Sequence, residues 1–74
     1  MNIAEEIKSA REAAGLTQLQ LAERLGMSRD GVARWEAGQR APVLGDLERI
    51  AEALGLQVVE KIFRKKRKSI QNNA

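Results

Sequence analysis

Apolar residues recur at intervals of three and four along most of this 74-residue chain, the pattern of amphipathic helices. Ile3, Ile7, Ala10 and Ala14 form one stripe, with Asn2 as its cap and Glu5 three residues on, at capping-box spacing. Gly15 then fits the position after a helix C-terminus, where a left-handed backbone is needed. Thr17 caps a second helix, Gln20 follows at the same box spacing, and Leu21, Ala22 and Leu25 are its inner face up to Gly26. Ser28 caps a third helix with Val32 and Trp35 as its large apolar residues, and residues 38–42 form a loop. A fourth helix is predicted over about 43–54, with Leu44, Leu47, Ile50, Ala51 and Leu54 inward and a stop at Gly55. It lacks a good capping side chain, although Asp46 and Glu48 suit the positive end of its dipole.

From Leu56 the pattern changes. The stretch LQVVEKIF is rich in β-branched and aromatic residues, alternates imperfectly (Val58/Ile62 against Val59/Phe63) and contains no turn signal. A short strand is the preferred reading, with a fifth helix as the competitor. A single strand after four helices has no partner within the chain, so it is expected to pair with a second copy or with a partner's sheet edge. Residues 64–74 read as a disordered basic tail.

Composition narrows the chemistry. The chain holds no Cys and no His, which removes disulfides, thiol catalysis, zinc sites and imidazole acid–base chemistry, and no cofactor is implied. One Trp, one Phe and no Tyr argue against a base-stacking platform for single strands or RNA. A chain of this size buries only about 60–65% of its unfolded surface, so its core is thin. No basic, apolar leader and no run of about 18 apolar residues is present, which predicts a soluble, cytoplasmic protein. The net charge of +3 is unevenly placed: all ten acidic residues lie in residues 1–60, whereas the stretch from Lys61 to Lys68 is basic throughout its charged positions. That distribution points to a polyanionic partner for the tail.

Only Gly26 and Met27 separate the second helix from the Ser28 cap, too few to fold back into an antiparallel hairpin. The two helices must cross steeply, as in a helix-turn-helix. Small Ala22 at the crossing, Gly26 in the turn, and Leu21, Leu25, Val32 and Trp35 between the helices complete that pattern. At this point GLTQLQLAERLGMSRDGVARWEAGQRAP resembles, almost position by position, the Cro/C1 (XRE) family of helix-turn-helix regulators. With the first helix the resemblance covers residues 3–56. It implies an all-α, lambda-repressor-like domain of four or five helices and a homodimer that binds operator DNA through its third helix. The organisation expected is a DNA-binding domain over residues 1–55, a dimerisation or partner strand over 56–63, and the tail over 64–74.

The resemblance also assigns roles. Ser28, Arg29, Asp30 and, one turn on, Ala33 or Arg34 occupy the positions that reach base edges from the recognition helix, 28–36. Arg29 or Arg34 suits guanine O6/N7, and Asp30 accepts from cytosine N4 or orients an arginine. Gly31 either reads no base or admits a close approach to the DNA backbone. Gln18, with the N–H groups of its helix, matches a phosphate position, as do Gln39 and Arg40 in the loop, where Arg40 also reads as a solvated loop charge. Arg11 and Glu36 match a structural salt bridge between the first helix and the end of the third, where loss of one partner costs about 3–5 kcal/mol if the pair is fully buried. Trp35 is read as core, and Lys8, Arg24 and Arg49 as solvated charges.

Several functions remain open on these residues. The first is a double-stranded-DNA-binding transcriptional repressor. Within it, ALGLQVVEKIF resembles the end of HipB-like antitoxins, which repress their own operon and bind a cognate toxin protein. A stand-alone phage or chromosomal repressor is the competing setting. The second class is a protein-interaction adaptor that keeps the fold, against which Arg29, Arg34 and Arg40 speak. An enzyme is the third, and no nucleophile–base set can be assembled without His or Cys. For the basic tail, non-specific phosphate binding, a solubilising end and a partner-ordered segment all stand.

Overall fold

The computed structural model describes residues 2–60 and 62–66. Four helices come first: α1 (Ile3–Ala13), α2 (Gln18–Leu25), α3 (Arg29–Glu36) and α4 (Leu44–Leu54). Two short strands follow, β1 (Leu56–Val59) and β2 (Ile62–Lys65). The fold is therefore the helical one expected, with a small sheet added at its C-terminal end.

Local chemistry sets the helix boundaries. Asn2 Oδ1 accepts from the Glu5 N–H at 2.9 Å and starts α1. At α2 the Thr17 and Gln20 side chains exchange hydrogen bonds with each other's backbone N–H, a full capping box. Ser28 Oγ accepts from Gly31 N at 3.3 Å and starts α3. At α4 the Val43 cap has no acceptor, and the Asp46 carboxylate accepts from the Val43 N–H at 3.1 Å instead. Gly26 takes φ +68 at the end of α2, a conformation costly for any residue with a Cβ. It turns the chain within two residues toward α3, and Met27 N–H closes the turn on Ala22 O at 3.0 Å.

One cluster forms the core: Ile7 from α1; Leu21, Ala22 and Leu25 from α2; Val32 and Trp35 from α3; Leu47 and Ile50 from α4. Ala22 is fully buried, which lets α2 and α3 cross closely. Two arginines tie α2 to α4: Arg24 Nη1 donates to Ala53 O at 3.1 Å, and Arg49 Nη2 donates to Leu25 O. Each thus reaches the C-terminal carbonyls of the other's helix, which otherwise lack partners. Both arginines are solvent-exposed, as expected of solvated charges, and each adds this one backbone contact. The inward placing of Leu44 is corrected: it is 57% exposed, because it starts α4 ahead of the first inward turn at Leu47.

The C-terminal segment departs most from expectation. Instead of a lone strand seeking another chain, β1 pairs antiparallel with β2, in the register Leu56↔Lys65, Gln57↔Arg64, Val58↔Phe63 and Val59↔Ile62. Val58 and Phe63 are therefore cross-strand partners, not residues of opposite faces, and both pack on the helical core. Glu60 bends the chain with φ 55, so a glutamate stands where turn sequences favour Gly or Asn. Arg64 and Lys65 belong to β2, whereas residues 67–74, most of the expected tail, lie outside the described residues. β1 packs beside α4, and β2 beside α1.

Candidate nucleic-acid interface

α3 has two faces of different character. Gly31, Val32 and Trp35 are buried beneath it. Ser28, Arg29, Asp30 and Arg34 are exposed, and Ala33 is half-buried between the faces. The exposed set occupies the cap and the first turn and a half, where the helix N–H groups and the positive end of the dipole also lie. Arg34 Nε donates to Asp30 Oδ2 at 2.8 Å, a surface pair one turn apart. Asp30 thus holds Arg34, which leaves Arg29 as the unpaired cation of the first turn among the described residues.

Gly31 has an internal reason. A Cβ there would overlap Met27 Cε, the tip of a half-buried side chain from the turn. The glycine makes room for the residue that seals the α2–α3 turn. The overlapping atom is the far end of a flexible side chain, which can shift, so the contact favours a small residue here without demanding glycine.

Beneath the exposed face lies a polar network. Arg11 Nε donates to Glu36 Oε2 at 2.7 Å and Arg11 Nη2 to Glu36 Oε1 at 3.0 Å, a two-pronged pair. Arg11 Nη1 also donates to Leu16 O at 2.7 Å, which pins the loop before α2. The Glu36 side chain is only 4% exposed. Hydrogen bonding to Glu36 raises the Arg11 pKa; burial opposes this, and the charges of Glu36 and Glu12 add to it. A raised arginine pKa means that the stabilisation from its charged form is complete below the ordinary arginine range and is lost only above it. From the arginine side the pair does not respond to pH where proteins are handled.

Gln18 joins this network. Its Nε2 donates to Glu36 Oε1 at 3.0 Å, at the first residue of α2. One amide hydrogen is thereby engaged, and the second remains free to donate outward. Eighteen residues separate Gln18 from Glu36, so no helical spacing in the sequence signals this contact. Gln39 and Arg40 are both exposed in the loop after α3. Arg40 also borders a cleft with the first turn of α1. Among the described residues no cluster of acidic side chains is placed to hold a metal ion, and no helix is long and apolar enough to cross a membrane.

Comparison with known proteins agrees with the helix-turn-helix fold. The chain is 44% identical over 57 residues to an uncharacterized HTH-type transcriptional regulator of Methanothermobacter thermautotrophicus, covering 77% of this chain and 83% of that protein. It is 43% identical over 58 residues to the immunity repressor protein of Bacillus phage phi105, covering 78% of this chain and 40% of the repressor. The cryptic phage CTXphi transcriptional repressor RstR of Vibrio cholerae is 33% identical over 60 residues, covering 81% of this chain and 54% of RstR. The chain thus spans about half or less of the two phage proteins. Among solved structures, cobalt-bound HppE with substrate superposes with a TM-score of 0.70 at 33% identity, covering 84% of this chain and 34% of that one. Hydroxypropylphosphonic acid epoxidase from S. wedmorenis superposes at 0.66 and 29% identity, covering 81% of this chain and 38% of that one. These epoxidase matches are partial and reflect the shared helix-turn-helix-like fold. A family profile described as helix-turn-helix matches residues 7–61, and the chain belongs to this XRE-type helix-turn-helix family of DNA-binding transcriptional regulators, which is not an enzyme family.

Proposed function

We propose that the chain is a sequence-specific repressor of duplex DNA that acts as a homodimer, with α3 lying in the major groove. The observation that carries this reading is the two-faced α3: its Gly31, Val32 and Trp35 side is buried, and Ser28, Arg29, Asp30 and Arg34 are exposed together. Arg29 is the residue assigned to a guanine edge. The Asp30–Arg34 pair limits the directions Arg34 can take, and Ser28 and Ala33 border the same surface. Gln18, held by Glu36, aims its remaining N–H and the start of α2 at a phosphate; Gln39 and Arg40 serve the backbone beside it.

The test separates base reading from phosphate holding. Arg29→Ala should cost about 1–3 kcal/mol on the preferred sequence and little on random duplex. Gln18→Ala should weaken both by similar factors. Equal losses on both duplexes for both variants would count against the assignment.

Of the biological settings, a stand-alone phage-type or chromosomal repressor now has the better support. Two of the relatives are phage repressors. The antitoxin-like reading drew on an unpaired C-terminal strand, and that strand is paired within the chain. Purification of the full chain from its native host distinguishes the two, since an antitoxin brings a stoichiometric toxin with it and a stand-alone repressor does not.

A further inference from the structure

Asp30 and Arg34 stand one turn apart on the exposed side of α3, with side chains 71% and 58% exposed. Their bond uses one particular edge of the guanidinium: Arg34 Nε donates to Asp30 Oδ2 at 2.8 Å. Nη1 and Nη2 make no hydrogen bond among the described residues, so the fork of N–H groups at the end of the side chain is left open. Arg34 is also fixed at its backbone, where its carbonyl accepts from Gln39 N–H at 2.9 Å and from Arg40 N–H at 3.3 Å. The loop that carries Gln39 and Arg40 is thus tied to the residue that carries the fork. The Asp30–Arg34 pair has no net charge, so it adds no attraction to a phosphate backbone, and Asp30 alone would oppose one. What the pair adds is direction. Holding one edge of a long side chain removes rotamer freedom before binding, so less is lost when the fork meets its target.

We infer that Asp30 is a positioning residue for Arg34, and that the fork it holds reads one guanine through O6 and N7. The inference rests on the duplex-DNA reading above and adds to it a second guanine, distinct from the one assigned to Arg29. Guanine presents two acceptors on its major-groove edge, and two parallel N–H donors match them. Adenine presents a donor in place of one acceptor, and would leave half of the fork unpaired. Arg29 and Arg34 are separated by more than one helical turn, about 7.5 Å along the axis, against a base-pair rise of about 3.4 Å. The two arginines therefore meet different base pairs.

Selection from a random duplex library, run with the full chain and with its variants, tests the positioning role. Arg34→Ala and Asp30→Ala should relax the same base position, one that Arg29→Ala leaves in place. Arg34→Lys keeps the charge without the fork and should relax it too. Asp30→Glu can still accept from Nε one turn away and should keep it. Discrimination against the other bases at that position should fall by about ten- to a hundredfold in Arg34→Ala and by less in Asp30→Ala. Adding Asp30→Ala to Arg34→Ala should lose no further discrimination. Binding of Asp30→Ala to random duplex should strengthen, because a negative charge leaves the DNA-facing surface. Both side chains are exposed, so the variants should keep the thermal midpoint of the parent chain, and a merely structural pair would move no base preference. If Asp30→Ala leaves fixed the position that Arg34→Ala relaxes, or relaxes a different one as a reader of its own base, the positioning role is overturned. If neither substitution alters the motif while Arg29→Ala does, the inference fails and the duplex reading stands. A parent pool that stays random ends both.

Discussion

The helix-turn-helix, Thr17 to Glu36, and the C-terminal hairpin, Leu56 to Lys65, are of similar importance to the outline of the molecule and are held in very different ways. In the first, Leu21, Ala22 and Val32 are fully buried, both helix starts are capped by side chains, and Glu36 ties the end of α3 to Arg11 and Gln18. In the second, every residue of β1 is only half-buried, β2 is half-buried at Ile62 and Phe63 and exposed beyond, and Glu60 bends with a positive φ. A two-stranded hairpin is marginal alone, and this one depends on the contact of Val58 and Phe63 with the helices. The part that presents α3 is thus the rigid part. The hairpin is a cover over one side of the core, and its stability is borrowed from α1 and α4.

The difference can be broken most sharply at Glu36. Glu36→Ala strands a buried Arg11 and frees Gln18, and should lower stability by about 3–5 kcal/mol in urea unfolding. A loss below about 1 kcal/mol would mean that the network is not what holds α1 to α3. Phe63→Ala removes the hairpin's largest anchor. Because the site is only half-buried, the expected loss is about 1–2 kcal/mol, below the range for a fully buried Phe. Hydrogen exchange should show the hairpin amides opening more readily than those of α2 and α3, and equal protection would erase the contrast.

The sequence signals differ between the two regions in the same sense. Capping residues, Gly26 and the three–four apolar spacing are local, and they located α1 to α3 closely. The Leu56–Lys65 hairpin carries no Asn-Gly or Asp-Gly turn, so only tertiary packing explains why the chain reverses at Glu60. That is why one strand was expected where there are two. Contacts far apart in the chain were likewise hidden: Gln18 with Glu36, Arg24 with Ala53, and Arg49 with Leu25. At α4 the periodicity ran one turn too far and placed Leu44 inside. At α3, Gly31 could be noticed from sequence, but its reason, the Met27 side chain, required the turn to be in place.

Two smaller effects refine the contrast. Glu60→Gly should relieve the left-handed backbone and stabilise the hairpin by up to about 1 kcal/mol, read as a rise in thermal midpoint. A loss would mean that the Glu60 side chain itself contributes. Gly31→Ala sets a helix-propensity gain of about 1 kcal/mol against displacement of Met27 Cε. The two should nearly cancel, within about 1 kcal/mol, since a methionine tip moves readily. Adding Met27→Ala to Gly31→Ala should remove the strain, so that thermal unfolding shows the paired substitutions to be non-additive.

Whether the exposed side of α3 reads sequence is tested most directly by selection from a random duplex library with the purified full chain, repeated with Arg29→Ala. Enrichment of a motif with two-fold symmetry, its half-sites about one helical turn apart, and a changed base preference for the variant at a position in each half, is the predicted result. A wild-type pool that remains random, or a motif that Arg29→Ala leaves untouched, would contradict the assignment of α3 as the base-reading element.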